Sequence, residues 1–171
     1  MKNKIFIAVL FTVLTAAVAV FSILNSIDIK NKMESRQNST VAIIHGNKKA
    51  AFDISYLKTF KTVSFRKEIK KKESGSEEII FTGVPLITVL HNLGFTVSGT
   101  KKIIFSAEDG FTSSVASEEA IDPDNIYLVY ERSGNPSGAR EDGGTGPIEI
   151  VIRKDSFPQR WCRFLLEIEI E

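Results

Sequence analysis

The stretch REDGGTGPIEIVIRK, Arg140 to Lys154, holds three glycines and a proline between two arginines, Arg140 and Arg153, with Lys154 adjacent. A backbone without Cβ can aim several N–H groups at one anion, and a guanidinium matches an oxoanion in a bidentate way. Such a loop could therefore grip an anionic ligand, with Gly143, Gly144 and Gly146 as N–H donors and Arg140 and Arg153 as charge contacts. The same residues also make an ordinary turn, which is the simpler reading of the loop alone. It lacks the lysine and Ser/Thr of a phosphate-binding P-loop, and it leads into a strand, not a helix.

Other reactive side chains are sparse. Cys162 is the single cysteine, so no intramolecular disulfide and no thiolate metal cluster can form. In WCRFLLEIEIE the even positions from Cys162 to Ile170 are apolar, while Arg163, Glu167, Glu169 and Glu171 are charged. That period of two predicts a half-buried strand with an inert thiol on its core face. The two histidines, His45 and His91, lie far apart with no HExxH spacing and no nucleophile motif beside them, which argues against zinc and serine or cysteine hydrolase chemistry. The carboxylates Glu118, Glu119, Asp122 and Asp124 surround Pro123 and read as a solvated loop, not a glycosidase pair.

Positioning these groups requires a domain with a real core, and 171 residues suffice for one. A net charge of +1 gives no overall attraction to nucleic acid. The basic run Lys67, Lys70, Lys71 and Lys72 is broken by Glu68 and Glu73, as expected of a solvated hairpin edge. The N-terminus differs from the rest. Ile5 to Leu24 carry no charge, and twenty such residues at 1.5 Å rise span the roughly 30 Å core of a bilayer. Lys2 and Lys4 precede this run, so the positive-inside bias places residues 1–4 in the cytoplasm and the remainder outside. The expectation is a single-pass cell-membrane anchor over 5–24, a polar tether over 25–40 and an extracytoplasmic domain over 41–171. The alternative is secretion after signal cleavage near Ala17-Val18-Ala19.

Within the domain, VAIIHGNKKAAF predicts a hairpin about Gly46-Asn47, and Asp53 is placed to cap a short helix. Val63 to Ile69 and Ile79 to Phe81 predict a second, exposed hairpin. TGVPLITVLHNLG predicts a helix with Pro85 in its first turn and Gly94 as its stop. Strands are expected at Lys102 to Phe105, Ile126 to Tyr130, Pro147 to Arg153 and Cys162 to Ile170, with an Asp109-Gly110 turn between the first two. Seven or eight short strands and two short helices in mixed order give an α+β domain, built as a twisted mixed sheet or a partly closed barrel.

The order of FTGVPLITVLHNLGF, IIFSAEDGFTSSV, IYLVYERSGNP, GGTGPIEIVIRKD and RWCRFLLEIEIE resembles the oxidoreductase molybdopterin-binding domain, the sulfite-oxidase-type fold, from about Thr40 to Glu171. The resemblance implies a domain that holds pterin-bound molybdenum, ligated in catalytic members by one cysteine between the first hairpin and the GVPL helix. TVSFRKEIKKK stands there instead, so Arg66 falls in the metal-ligand region, and Cys162 lies too late in the chain to be carried over. The loop also reads GGTGP where the family closes up to GGP. These departures imply a membrane-tethered relative without molybdenum redox catalysis. It would keep a site between Asp109-Gly110, Gly143 to Gly146 and Trp161 for a small anionic or pterin-like ligand, or serve a membrane-protein partner. The alternative is a true molybdopterin-dependent oxidoreductase, or a subunit of one, with a non-cysteine metal ligand.

Overall fold

The computed structural model describes residues 40–71 and 75–171, together with residues 14, 15 and 21. Apart from those last three, the expected anchor over 5–24 lies outside the described residues, as does the tether up to residue 39. Among the described residues no helix is long and apolar enough to cross a membrane. Asn38–Glu171 forms one compact unit.

Ten strands make two sheets. The first hairpin, β1 (Val41–His45) and β2 (Lys48–Phe52), turns at Gly46-Asn47 as its sequence predicts. Asp53 then caps α1 (Ile54–Leu57) by accepting the Tyr56 N–H at 2.8 Å. A long hairpin follows, β3 (Val63–Lys71) with β4 (Gly75–Pro85). Pro85 closes β4 and is the N-cap of α2 (Leu86–Asn92), so the GVP residues are strand and not helix. Leu86, Ile87, Val89 and Leu90 bury the apolar face of α2, and the Phe95 N–H closes its end on the Leu90 carbonyl at 2.8 Å.

The later half contains β5 (Lys102–Ala107), β6 (Thr112–Ala116), α3 (Ser117–Ile121), β7 (Ile126–Arg132), β8 (Asn135–Pro136), β9 (Glu149–Ile152) and β10 (Leu165–Ile170). The strand β6 and helix α3 lie where the sequence shows only a turn and a polar stretch. TSSVASEEAI buries Val115 and Ala120 but has too little apolar alternation to announce a strand. Among the described residues of the Asn38–Glu171 unit there are thus ten strands and three short α-helices, more than expected.

One sheet has the order β2-β1-β10-β5-β6, with β1 and β10 parallel and the other pairs antiparallel. The other runs β3-β4-β7-β8, and β9 pairs with the same edge of β7 beyond β8. The first sheet is mixed and the second antiparallel, and together they do not make a closed barrel. Inward residues of both sheets, among them Ile43, Phe105, Ile168, Phe81 and Leu128, share one core.

The closing strand departs from its expected period. Cys162 makes only an isolated bridge to Ile150, a register irregularity falls between Leu165 and Glu167, and Phe164 adopts φ 53. The result is that Leu165 is buried and Leu166 is 47% exposed, the reverse of a regular alternation. One extra residue in a strand flips every side chain before it, and sequence periodicity carries no sign of where that occurs.

Candidate functional site

The glycine loop is stitched to the segment that precedes it. The N–H groups of Gly143, Gly144, Thr145 and Gly146 donate to the carbonyls of Arg140, Ala139, Ser137 and Gly138 at 3.0, 2.8, 2.8 and 3.0 Å. The backbone donors expected to serve a ligand are therefore engaged within the protein. Two of the glycines are required by close approach. A Cβ on Gly144 would stand 2.3 Å from the Gly138 carbonyl carbon. One on Gly146, which sits at φ 101, would stand 2.6 Å from the Cα of Phe164. The loop is thus a tightly closed turn whose shape places Phe164 and Arg140.

Arg140 opens a 3-10 turn, Arg140–Asp142, which Gly143 caps. Its guanidinium carbon lies 4.3 Å from the centre of the Phe164 ring, and one nitrogen donates to Asp109 at 3.0 Å. Asp109 begins the turn with Gly110 and also accepts the Phe111 N–H at 3.1 Å. That backbone bond first, then the Arg140 bond, holds the Asp109 carboxyl below its usual range. The side chains of Arg140 and Asp109 are 56% and 45% exposed, so the pair is a solvent-screened surface one that contributes little to stability. Asp109, Gly110, Arg140 and the glycine loop thus form one corner of the domain.

Trp161 and Arg153 belong to a different neighbourhood. Trp161 is buried, donates its indole N–H to the Ile152 carbonyl at 3.2 Å and meets the Phe81 ring edge-on at 5.4 Å. The guanidinium of Arg153 lies 5.3 Å from the Phe65 ring and pairs with Asp124, and Lys154 pairs with Asp122. Lys67 donates to the carbonyls of Arg153 and Asp155 at 2.6 Å each, and desolvation lowers its pKa. Arg160 clasps Glu119 and Asp155 with two bonds each, which raises its own pKa and holds the Glu119 carboxyl low. Arg66 points outward from β3 at 71% exposure, 3.5 Å from Glu78.

Two features escaped the sequence. Glu149 has no exposed surface, yet it accepts two bonds from Arg132 at 2.6 and 2.5 Å and one from the Thr145 hydroxyl at 3.0 Å. This buried pair ties β7 and β9 to the glycine loop. In PIEIVIRK, Glu149 has the alternating place of an outward residue, but all four residues of β9 are buried, so no pattern could reveal it. The second is the hydroxyl of Ser137, buried without a hydrogen-bond partner at the base of the loop. A lone serine carries no such signal in sequence.

The thiol of Cys162 is fully buried, and burial first, then the charge of Asp109, pushes its pKa up to about 12. A thiolate is the form that binds a metal. In β3, where the resemblance puts the ligating cysteine, Phe65 faces the core and Arg66 faces solvent. Among the described residues no three His, Cys, Asp or Glu side chains converge in a metal-binding group. These residues do not fit a thiolate-ligated molybdenum centre.

No family model matches the chain, and no curated protein matches it. Among solved structures it is similar to the sulfane dehydrogenase SoxCD from Paracoccus pantotrophus, with a TM-score of 0.62 and 17% identity. The fold is of the sulfite-oxidase type. The match covers 79% of this chain but only 38% of that one, so the chain spans well under half the length of its structural neighbour. At this identity the likeness carries the fold alone.

Proposed function

We propose that the chain is a membrane-tethered, extracytoplasmic binding module of sulfite-oxidase-type fold that takes a small anionic or pterin-like ligand, or a partner, without molybdenum redox catalysis. The observation that carries this reading is the sealed thiol: the scaffold is kept, but its one cysteine is buried with its pKa pushed up to about 12, and β3 offers no substitute thiolate. The ligand's charge contact is Arg140. With the loop amides engaged, an anion meets the side chain and must displace Asp109 from it. A solvent-screened surface pair of this kind is easily broken, while a bidentate guanidinium–oxoanion contact has more hydrogen bonds to offer. Arg153, held by Asp124 on the Phe65 ring, serves the scaffold on this reading. The N-terminal apolar segment supports the membrane tether, by its length and its flanking lysines.

Calorimetric titration of the full-length protein with inorganic sulfate and with a metal-free pterin tests the reading. Binding that weakens in Arg140→Ala and persists in Arg153→Ala supports it. Absence of binding to both probes removes the small-ligand reading and leaves the partner.

A further inference from the structure

We propose that the free edge of β6 pairs with the β6 edge of a second copy of the chain, joining their sheets about a two-fold axis at Ser113. β6 closes one side of the β2-β1-β10-β5-β6 sheet, and among the described residues β5 is its only strand neighbour. Two bonds at the ends of that ladder set its alternation: the Ala107 N–H donates to the Phe111 carbonyl at 2.9 Å, and the Ser117 N–H donates to the Lys101 carbonyl at 3.4 Å. Phe111, Ser113 and Val115 thus turn their backbone groups toward β5, while Thr112, Ser114 and Ala116 turn theirs away. The Glu119 carboxylate accepts the Ala116 N–H at 3.2 Å. Thr112 and Ser114 are exposed, and among the described residues nothing pairs with their outward N–H and C=O groups.

Strand edges are ordinarily guarded by charge, proline or brevity. The opposite edge, β2, carries Lys48 and Lys49, β3 is charged along its length, and β8 is two residues ending in Pro136. β6 reads TSSVA and has none of these devices. Its core face is also incomplete. Val115 is buried opposite Ile103, but Phe111 is 42% exposed, and the Ser113 hydroxyl is closed off from solvent without a hydrogen-bond partner.

One antiparallel register answers all of this. When Ser113 faces Ser113 of the other copy, Thr112 of each faces Ser114 of the other, and these pairs exchange four backbone hydrogen bonds through the unpaired groups alone. Ala116 keeps its bond to Glu119. The Ser113 pair is then of the non-hydrogen-bonded kind, with side chains at closest approach, so the two hydroxyls bond each other. Phe111 of each copy lies opposite Val115 of the other and gains apolar cover. Facing Ser114 with itself instead would demand the Ala116 N–H and would leave the Ser113 hydroxyl against valine. A foreign extended peptide fits the backbone groups equally well, but the chain's own β6 also supplies the hydroxyl and the valine. Past the strand ends this register turns Glu108 of one copy toward Glu118 of the other, both exposed. With so short an edge the association is weak, and salt that screens these carboxylates strengthens it. The inference goes beyond the small-ligand reading and does not depend on it.

Sedimentation of the full-length protein in mild detergent, over a concentration series, tests the pairing. A reversible monomer–dimer equilibrium is expected. Thr112→Lys with Ser114→Lys, at two exposed positions, should shift its midpoint upward by about tenfold or more. Mild oxidation of Ser113→Cys should give a disulfide-linked dimer, because facing residues of such a pair lie within disulfide reach. Ala116→Cys should not link, since this register holds it about 20 Å from its counterpart. Cys162 does not compete, being buried with its pKa pushed up to about 12. Circular dichroism verifies the fold of each variant. A monomer at every concentration, a dimer indifferent to the two lysines, or linkage through Ser114→Cys or Ala116→Cys in preference to Ser113→Cys would overturn the proposal.

Discussion

Arg132→Met should be among the most damaging single substitutions in the domain. It leaves Glu149, with no exposed surface, holding a carboxylate supported only by the Thr145 hydroxyl at 3.0 Å. Breaking a buried pair by removing one partner costs about 3–5 kcal/mol, because an uncompensated charge stays in the interior. For a domain of this size, about 3 °C of melting temperature accompanies each kcal/mol, so a fall of about 9–15 °C is expected. The double variant Arg132→Met with Glu149→Leu removes both charges and should recover most of that loss. Urea unfolding of the wild type, both single variants and the double variant closes the cycle. A loss below about 1 kcal/mol for Arg132→Met, or a double variant no more stable than the worse single one, would refute the role assigned to this pair.

Gly144→Ala and Gly146→Ala should each cost about 1–3 kcal/mol, because the added Cβ meets backbone at 2.3 and 2.6 Å, and chemical denaturation reads the loss directly. Cys162, with its pKa pushed up to about 12, should resist iodoacetamide at pH 8 in the native protein and react once urea unfolds it. Glu119 titrates below its usual value of 4.5 because of Arg160, so its stabilising bond is present above that pH and is lost as pH falls through the lowered native value. The stability advantage of the wild type over Glu119→Gln should therefore shrink in thermal melts as pH drops below about 4.5.

Local signals in the sequence were legible where one residue type has one physical reason to be there. Gly46-Asn47 turns the first hairpin, Asp53 caps α1 with its carboxylate, and the Leu86 to Leu90 stripe makes α2. Features that depend on tertiary context were not. TSSVA becomes a strand only because β5 pairs with it, and Leu166 turns outward only because of an irregularity at Leu165/Glu167. Arg140 and the glycine loop were identified as one neighbourhood with Asp109-Gly110, and the structure brings them together. Trp161 and Arg153 were grouped with them through sequence order, but side-chain packing sends both toward Phe81 and Phe65. The buried Arg132–Glu149 pair and the unpartnered Ser137 hydroxyl arise from burial, which no local pattern encodes.

Metal analysis decides the central claim, that this scaffold has given up the thiolate-held metal. Full-length protein is produced in a host that makes the molybdenum cofactor, purified, and assayed for molybdenum and for extractable pterin. The expected result is no molybdenum, whether or not a pterin is retained. Stoichiometric molybdenum that withstands Cys162→Ser would contradict the account through a non-cysteine ligand, and metal lost on that substitution would contradict it through the buried thiol itself.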